Sequence, residues 1–305
     1  PSTYSRLVQK VLEGIPYSVA LPFLDDTLVH SLNGKEHLES LETVFKAFTK
    51  AGLKLGYKKC SLFKTKIKFL GHYVSAEGVQ VDPEYISVVK DWPIPQSRKE
   101  CRVFVGKVSY YRRFIKDFSK IAKPILQKLA DDGTTDKEEF VPTDEFVSAF
   151  HHLKKRLCEA PILGYPDFKS PEPFILDTDF SGQNAGGVLS QVQDGKERVL
   201  AYSSIKLNSA QSKYGSTKGE LLALILHLAK FKYYLMYRKF RVRTDNAALT
   251  WLQKMEAPTG MLARWQHVLA NYQFTIEHRP GVRHGNADAL SRVSCPRGPG
   301  NQPRT

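Results

Sequence analysis

The sequence predicts a multidomain α/β protein, α+β in overall arrangement, with a mixed five-stranded sheet in its C-terminal part. Its 305 residues, 42% of them apolar, are enough for two or three domains with packed cores. From residue 172 onward, three strand-like runs precede alternating helices and strands, which is the pattern of a mixed sheet covered by helices. An acidic stretch at residues 130–145 contains Gly133 and Pro142 and predicts a loop or linker before that part.

The first 90 residues alternate between amphipathic and strand-like patterns. Apolar residues at helical spacing predict helices over residues 3–13 and 35–52, and Gly52 is placed to end the second one. The predicted strands cover residues 19–23, 28–31, 60–63 and 66–74. Asp25-Asp26 forms an acidic turn between the first two strands, and Pro22 is unusual inside a strand because it lacks an N–H donor.

The middle of the chain predicts helices joined by stiff connectors. The segment Asp91-Trp92-Pro93-Ile94-Pro95 is a rigid connection, and a helix is predicted over residues 98–116. One side of that helix is apolar and the other carries basic residues. After the linker, a further helix is predicted over residues 145–158.

The C-terminal part predicts an ordered series of strands and helices. Its strands are expected at residues 173–179, 185–192, 197–204, 239–244 and 272–278. Its helices are expected at residues 217–235, 247–254, 260–271 and 285–292. The last residues, 293–305, are rich in proline and glycine and predict a linker or a disordered tail.

Positive charge is concentrated in two stretches of the chain. The formal net charge is +14; residues 50–76 contain seven lysines and no acid, and residues 98–128 contain ten basic residues against Glu100 and Asp117. Clustered cations of this kind indicate a polyanionic partner, although a solvated basic surface is the alternative interpretation.

The cysteines and the hydropathy pattern exclude other classes of protein. Four cysteines, at positions 60, 101, 158 and 295, show no metal-binding spacing and predict reduced thiols in an intracellular protein. We find no signal peptide and no apolar run long enough to span a membrane, so no membrane partner is expected. The chain begins at Pro1 rather than at a methionine, which suggests a processed product or an excised fragment.

Four carboxylates, Asp179, Glu220, Asp245 and Asp288, are the principal candidate catalytic and metal-ligating residues. Asp179 and Asp245 end predicted strands, Glu220 lies in the first turn of a predicted helix, and Asp288 lies near the chain end. Each acid taken alone has a structural explanation: Asp245 can cap a helix, and Glu220 is favourable at a helix start. Neither explanation accounts for the recurrence of acids at strand ends of one sheet.

The segments around these acids resemble the RNase H domain of LTR retrotransposons of the gypsy class. The matching segments, in order, are Thr178-Asp179-Phe180-Ser181, Gly187 to Gln191, Ala201 to Ser204, Lys218 to Ala223, Arg243 to Leu249, Leu262 to Trp265, and Arg279 to Arg292. The resemblance implies that Asp179, Glu220, Asp245 and Asp288 hold Mg²⁺, with Mn²⁺ as the alternative ion, and cleave RNA in RNA/DNA hybrids. Hard oxygen ligands and paired metal ions suit that reaction. Phe180 departs from the family, which usually has alanine there.

The N-terminal part resembles the reverse transcriptase palm and thumb of the same elements. Phe23-Leu24-Asp25-Asp26 resembles the aromatic-x-Asp-Asp motif, so Asp25 and Asp26 are implied catalytic and metal-ligating residues. The remaining matches are Glu36 to Leu38, Gly52 to Leu55, Lys59-Cys60, Phe69 to Ser75, Trp92 to Pro95, and Tyr110 to Ile115. The implied nucleic-acid-binding residues are Gly71, Trp92, Lys99, Arg102, Arg112, Arg113 and Lys116.

The resemblance also implies a domain order and a set of partners. We expect a palm remnant without fingers at residues 1–84, a helical thumb and connection at 85–165, an RNase H-like domain at 166–292 and a tail at 293–305. The implied partners are an RNA/DNA hybrid, template RNA and primer, and the other parts of the Pol polyprotein: fingers, protease and integrase. The implied location is the cytoplasm, in a virus-like particle, with the nucleus as the alternative.

Two functional hypotheses follow. In the first, the chain is part of a Pol polyprotein that performs reverse transcription; this chain as written cleaves hybrid RNA but does not polymerise, because one palm aspartate is missing. In the second, it is a degenerate or co-opted copy that binds nucleic acid without catalysis. The presence of all four acids favours the enzyme. A protease or integrase assignment finds no support in the sequence.

Overall fold

In the computed structural model, the residues described are 2–130, 140–244 and 260–278. The chain divides into two compact units, residues 1–76 and residues 77–305. The predicted boundaries at 84/85 and 165/166 stay predictions. The predicted elements 247–254 and 285–292, the tail and most of the acidic linker lie outside the described residues. Within the described part, no helix is long and apolar enough to cross a bilayer, and Cys60, Cys101 and Cys158 are free thiols.

The first unit contains two helices and two β-hairpins. Its elements are α1 (Ser2–Val11), β1 (Ala20–Phe23), β2 (Asp26–Val29), α2 (Gly34–Lys50), β3 (Lys66–Phe69) and β4 (His72–Ser75). The side chain of Asn33 accepts a hydrogen bond from Glu36 N and so caps α2. The core of this unit is small and joins α1, β1 and α2 through Val8, Leu12, Ala20, Val44 and Phe48.

Two strand predictions in this unit were wrong. Residues 60–63 are exposed and not in a strand, and Phe63 has a φ of 53°, which interrupts an extended backbone. The run 66–74 is a hairpin rather than one strand, because Leu70 and Gly71 turn the chain with φ values of 48° and 68°. Alternating hydrophobicity alone did not reveal the turn.

The second unit begins with a strand and a group of helices. They are β5 (Gly78–Val81), α3 (Pro83–Lys90), α4 (Arg98–Tyr110), α5 (Phe118–Ile121), α6 (Lys123–Ala130) and α7 (Asp144–Cys158). Capping explains two of the starts: Asp82 accepts from Glu84 N with Pro83 following, and Ser97 accepts from Glu100 N. Phe104, Phe114, Phe146 and Phe150 are fully buried among these helices.

The helix predicted over residues 98–116 is shorter than expected. It ends at Tyr110, and residues 112–114 form a 3₁₀ turn before Asp117 adopts the left-handed conformation at φ 57°. Tertiary contacts favour the turn: Arg113 donates to Leu200 O at 3.3 Å, and Ser119 Oγ donates to Ser204 O at 2.8 Å. These hydrogen bonds override the local helical pattern.

A mixed five-stranded sheet forms the rest of the second unit and confirms the predicted fold. Its strands are β6 (Phe174–Phe180), β7 (Asn184–Gln193), β8 (Lys196–Lys206), β9 (Lys239–Thr244) and β10 (Gln273–His278). The order is β10-β9-β6-β7-β8, with β6 parallel to β9 and antiparallel to β7. The helices are α8 (Ser216–Lys230), α9 (Lys232–Leu235) and α10 (Gly260–Ala270).

The two faces of this sheet are covered by different parts of the chain. On one face, α8 packs against β6 and β7 through an apolar cluster that includes Leu176, Leu189 and Leu224. On the other face, Val188, Val199 and Tyr202 join the core of the preceding helices. Because successive strand residues alternate between faces, each side chain near the end of β6 packs either on the α8 side or on the side of the preceding helices.

Candidate active site

Asp179 lies next to last in the central strand β6. It pairs with Gly186 of β7, and its side chain is exposed at the carboxyl end of the strand. Among the residues that the structure describes, Asp179 has no hydrogen-bond or ion-pair partner, so its oxygen atoms are available to a ligand. This position agrees with the prediction that Asp179 ends a strand at the sheet edge.

Glu220 reaches the same end of β6 from α8. Its residue exposure is 5%, and its Oε1 atom accepts a hydrogen bond from the backbone N–H of Phe180 at 3.3 Å. The predicted place of Glu220 in the first helical turn was wrong: α8 begins at Ser216, and its first turn contains no acid. The helix macrodipole therefore does not explain the acid at position 220. Instead, the Glu220 carboxylate contacts the backbone of Phe180, the residue that follows Asp179.

The other two predicted ligands, Asp245 and Asp288, lie outside the described residues. The strand that precedes Asp245 in sequence, β9, ends at Thr244 and runs parallel beside β6. Within the described ranges no group of three or more His, Cys, Asp or Glu residues is arranged to hold a metal ion. The described part thus contributes two carboxylates, and these hard oxygen donors fit a divalent cation such as Mg²⁺.

A cluster of ion pairs around the buried Arg243 side chain lies on the same sheet face as Asp179. Arg243 Nη1 donates to both carboxylate oxygens of Glu197, at 3.0 and 2.8 Å. The same side chain lies 4.0 Å from Asp177 and 3.5 Å from Glu277. Burial alone would lower the pKa of Arg243, but the hydrogen bonds and charges of these acids outweigh it and raise that pKa. Through these contacts, Arg243 links its own strand, β9, to β8, β6 and β10. Asp245 follows β9 directly in the sequence.

His227 is fully buried beneath the site on the opposite face. Its Nδ1 lies 2.8 Å from Ala223 O, and a Cβ added at Gly187 would overlap its ring. Gly187 pairs with Thr178, so glycine is needed there for the close approach of α8 to the sheet. Burial, the largest cause, lowers the pKa of His227 to about 4.

We expect His227 to make folding less stable in mild acid. The unfolded chain binds a proton near pH 6.5 and the folded chain only near pH 4, so stability is lost as the pH falls between these values. The expected loss between pH 7 and pH 5 is about 2 kcal/mol of unfolding free energy. Urea unfolding at both pH values measures it, with His227→Asn as the control because its amide can donate to Ala223 O without titrating. Equal pH dependence in both proteins would contradict the prediction.

The predicted acidic hairpin of the first unit is present. Phe23 pairs with Asp26, and Leu24 and Asp25 form the turn, with Leu24 at φ 51°. Both carboxylates are exposed at the hairpin tip. Pro22 is accommodated in β1, where it pairs with Thr27.

The predicted nucleic-acid-binding residues occupy several different environments. Lys99, Arg102 and Arg112 are exposed on or just after α4. Arg113 is exposed too, but one of its guanidinium nitrogens bonds to β8 as described above. Trp92 is half-buried, with its ring 5.9 Å from that of Phe104. Gly71 lies in the β3–β4 turn, and Lys116 is half-buried.

A groove along α4 contains residues that sequence reasoning missed. It has a volume of about 530 Å³ and is lined by Tyr85, Arg102, Val103, Gly106, Lys107, Tyr110 and Tyr111. Gly106 leaves open space at the surface, since a Cβ added there meets nothing within 4 Å. The spacing of Gly106 and Tyr110, four residues apart on the basic helix, was the available signal.

Comparison with known families assigns both parts of the chain. Residues 169–272 match the RNase H-like domain found in reverse transcriptase, and residues 1–74 match reverse transcriptase (RNA-dependent DNA polymerase). Both families are in general dependent on divalent metal ions.

Several relatives are retrotransposon polyproteins. The retrovirus-related Pol polyproteins from transposons 297 and 412 of Drosophila melanogaster are 35% and 34% identical over 96% of this chain, which covers 27% and 23% of them. The transposon Tf2-3 polyprotein of Schizosaccharomyces pombe is 32% identical over 96% of this chain, which covers 22% of it. The chain therefore spans about a quarter of the length of these curated relatives.

Solved structures of a foamy viral enzyme share the fold. The protease-reverse transcriptase in complex with an RNA/DNA hybrid gives a TM-score of 0.78 at 20% identity, over 99% of this chain and 40% of that one. The dRH form in complex with double-stranded DNA gives 0.79 at 21% identity, over 92% and 49%. With the sheet topology and the family matches, these likenesses confirm the predicted fold. The two family matches and the polyprotein relatives confirm the predicted resemblance of this chain to the reverse transcriptase and RNase H parts of gypsy-class LTR retrotransposon Pol polyproteins.

Proposed function

We propose that this chain hydrolyses the RNA strand of RNA/DNA hybrids in a reaction that depends on Mg²⁺, with Mn²⁺ as the alternative ion. One observation carries the proposal: Glu220, from a helix about 40 positions further along the chain, accepts a hydrogen bond from Phe180 N, the residue that follows the exposed Asp179 at the carboxyl end of the central strand. An exposed and a buried carboxylate at such a position supply hard oxygen ligands. Asp245 and Asp288 complete the proposed set.

Each described residue has a specific task in this mechanism. Bound metal ions would supply an activated water and stabilise the leaving oxygen. Asp179 presents its carboxylate to the solvent side, where the substrate phosphate arrives. Glu220 is oriented by the amide of Phe180, which holds Oε1 at 3.3 Å. Arg243, through Asp177, steadies the strand two residues before Asp179.

The substrate-binding surface is proposed to include α4 and its groove. Exposed Arg102 and Lys107 would neutralise backbone phosphates, and the exposed Tyr110 ring would pack against the sugar edge beside Gly106. The solved relatives in complex with double-stranded DNA and with an RNA/DNA hybrid support duplexes as the ligand class. Recognition of RNA within the hybrid would rest on the 2′-hydroxyl and duplex shape.

The polymerase part of the function is proposed for the parent polyprotein. There Asp25 and Asp26 would hold metal ions during RNA-directed DNA synthesis on a template RNA and primer. The proposed protein partners are the other Pol parts: fingers, protease and integrase. The proposed location is the cytoplasm, in a virus-like particle, with the nucleus as the alternative.

Metal removal tests the nuclease proposal directly. We expect the chain to cleave the labelled RNA strand of a hybrid with Mg²⁺ and to lose cleavage in excess EDTA, while hybrid binding by fluorescence anisotropy persists. Recovery of cleavage on restoring Mg²⁺ or Mn²⁺ would support metal-dependent chemistry. Single-stranded RNA and duplex DNA serve as controls. Binding without cleavage at any Mg²⁺ concentration would contradict the proposal and favour the non-catalytic alternative.

A further inference from the structure

Phe180 and Gly219 are in close contact directly beside the two carboxylates. Phe180 follows Asp179 in β6, and Gly219 precedes Glu220 in α8. The Phe180 ring lies so near the Gly219 backbone that a Cβ added at position 219 would overlap the Cδ1, Cε1 and Cζ atoms of the ring. The ring therefore occupies the space that any larger residue at position 219 would need.

Space, and not backbone conformation, explains the glycine. Gly219 is buried within α8, where its N–H donates to Gly215 O at 2.8 Å. Its φ is not in the left-handed region, so an alanine could adopt the same backbone. Glycine inside a helix is destabilising relative to alanine. The fit with the Phe180 ring compensates for that cost.

The backbone of Phe180 makes the second connection between the same two elements. Its N–H donates to Glu220 Oε1 at 3.3 Å, while its side chain rests on the residue before Glu220. One strand residue thus contacts two consecutive helix residues, by packing and by a hydrogen bond. The distance between the end of β6 and α8 determines whether that hydrogen bond forms.

We propose that Phe180 is a positioning residue of the nuclease site: its ring, packed on Gly219, sets the spacing between β6 and α8 and thereby holds the Glu220 carboxylate at the amide of Phe180, the residue that follows Asp179. The inference rests on the proposed nuclease function. It also accounts for Phe180, which departs from the alanine usual in the family: a large ring at position 180 is matched by an absent side chain at position 219.

A double-mutant cycle tests the pairing. Gly219→Ala should lower hybrid cleavage and Mg²⁺ affinity, measured by calorimetry, by about tenfold each, because the added methyl displaces the ring and with it Glu220. Phe180→Ala alone completes the cycle and should also lower both quantities, because the ring that positions α8 is then missing. The double variant should exceed Gly219→Ala at least about threefold in both, since the added methyl fills the space that the ring has left. Gly215→Ala is the matched control: it adds the same methyl at the start of the same helix, where nothing lies within 4 Å.

The outcomes separate this inference from the nuclease proposal. If the unmodified chain cleaves but the losses from the two substitutions simply add, or Gly219→Ala leaves Mg²⁺ affinity unchanged, Phe180 is not a positioning residue. If the unmodified chain does not cleave, the nuclease proposal fails, and the Mg²⁺ titration of the same four proteins still decides whether positions 180 and 219 are coupled through the carboxylates.

Discussion

Glu220→Gln is expected to reduce hybrid cleavage by about 100-fold or more while leaving the protein folded. The substitution keeps the shape of the side chain and its hydrogen bond from Phe180 N, but removes the negative charge that a divalent cation requires. Loss of one metal ligand removes several kcal/mol of transition-state stabilisation, and each tenfold in rate corresponds to about 1.4 kcal/mol. Single-turnover cleavage of a labelled hybrid at saturating enzyme measures the effect.

The melting temperature of the variant distinguishes loss of a metal ligand from loss of the folded structure. Burial of an ionised carboxylate costs free energy, so neutralising Glu220, whose residue exposure is 5%, should leave the melting temperature unchanged or raise it. Glu172→Gln, at an exposed acid just before β6, should alter neither cleavage nor melting. A Glu220→Gln protein that cleaves at the normal rate would remove Glu220 from the site. Reduced cleavage together with a lower melting temperature would indicate a structural role.

Arg243→Met is expected to lower the free energy of unfolding by about 3 kcal/mol. Only 9% of the Arg243 side chain is exposed, and it neutralises three acids, Asp177, Glu197 and Glu277. Removing the guanidinium leaves the three acids, which are 16%, 30% and 48% exposed, without their shared cation. The loss is greatest at Asp177 and Glu197, the less exposed two, because water compensates little for the missing charge there. Urea unfolding followed by circular dichroism measures the change.

The neighbouring strand residue Arg241 is a matched control for Arg243. It lies on β9 as well and its guanidinium is 3.8 Å from Glu277, but a third of its side chain is exposed. Ion pairs in that environment contribute about 0–1 kcal/mol, so Arg241→Met should cost far less than Arg243→Met. Equal losses of unfolding free energy from the two substitutions would show that the burial of Arg243 does not increase its contribution to stability.

Local pattern was sufficient to locate the sheet and to place Asp179 at the end of its central strand. The alternation that ends at Asp179 reflects a strand with two differently packed faces, and that signal depends only on residues close in sequence. The same reasoning failed at residues 60–63, where a strand-like run is exposed and interrupted by the positive φ of Phe63. It failed again at Tyr110, where α4 ends because hydrogen bonds to β8 compete with continued helix.

The sequence by itself determined the resemblance to Pol polyproteins, the order of the strands in the C-terminal part and the choice of candidate ligands, because motifs and hydrophobic periodicity depend on residues that are close in sequence. Only the tertiary structure decided how α8 approaches β6: the burial of Glu220, its hydrogen bond from Phe180 and the seating of the Phe180 ring on Gly219. The physical reason is that the packing distance between two elements depends on residues some 40 positions apart in the chain, such as Phe180 and Glu220. A pattern among neighbouring residues therefore cannot predict it.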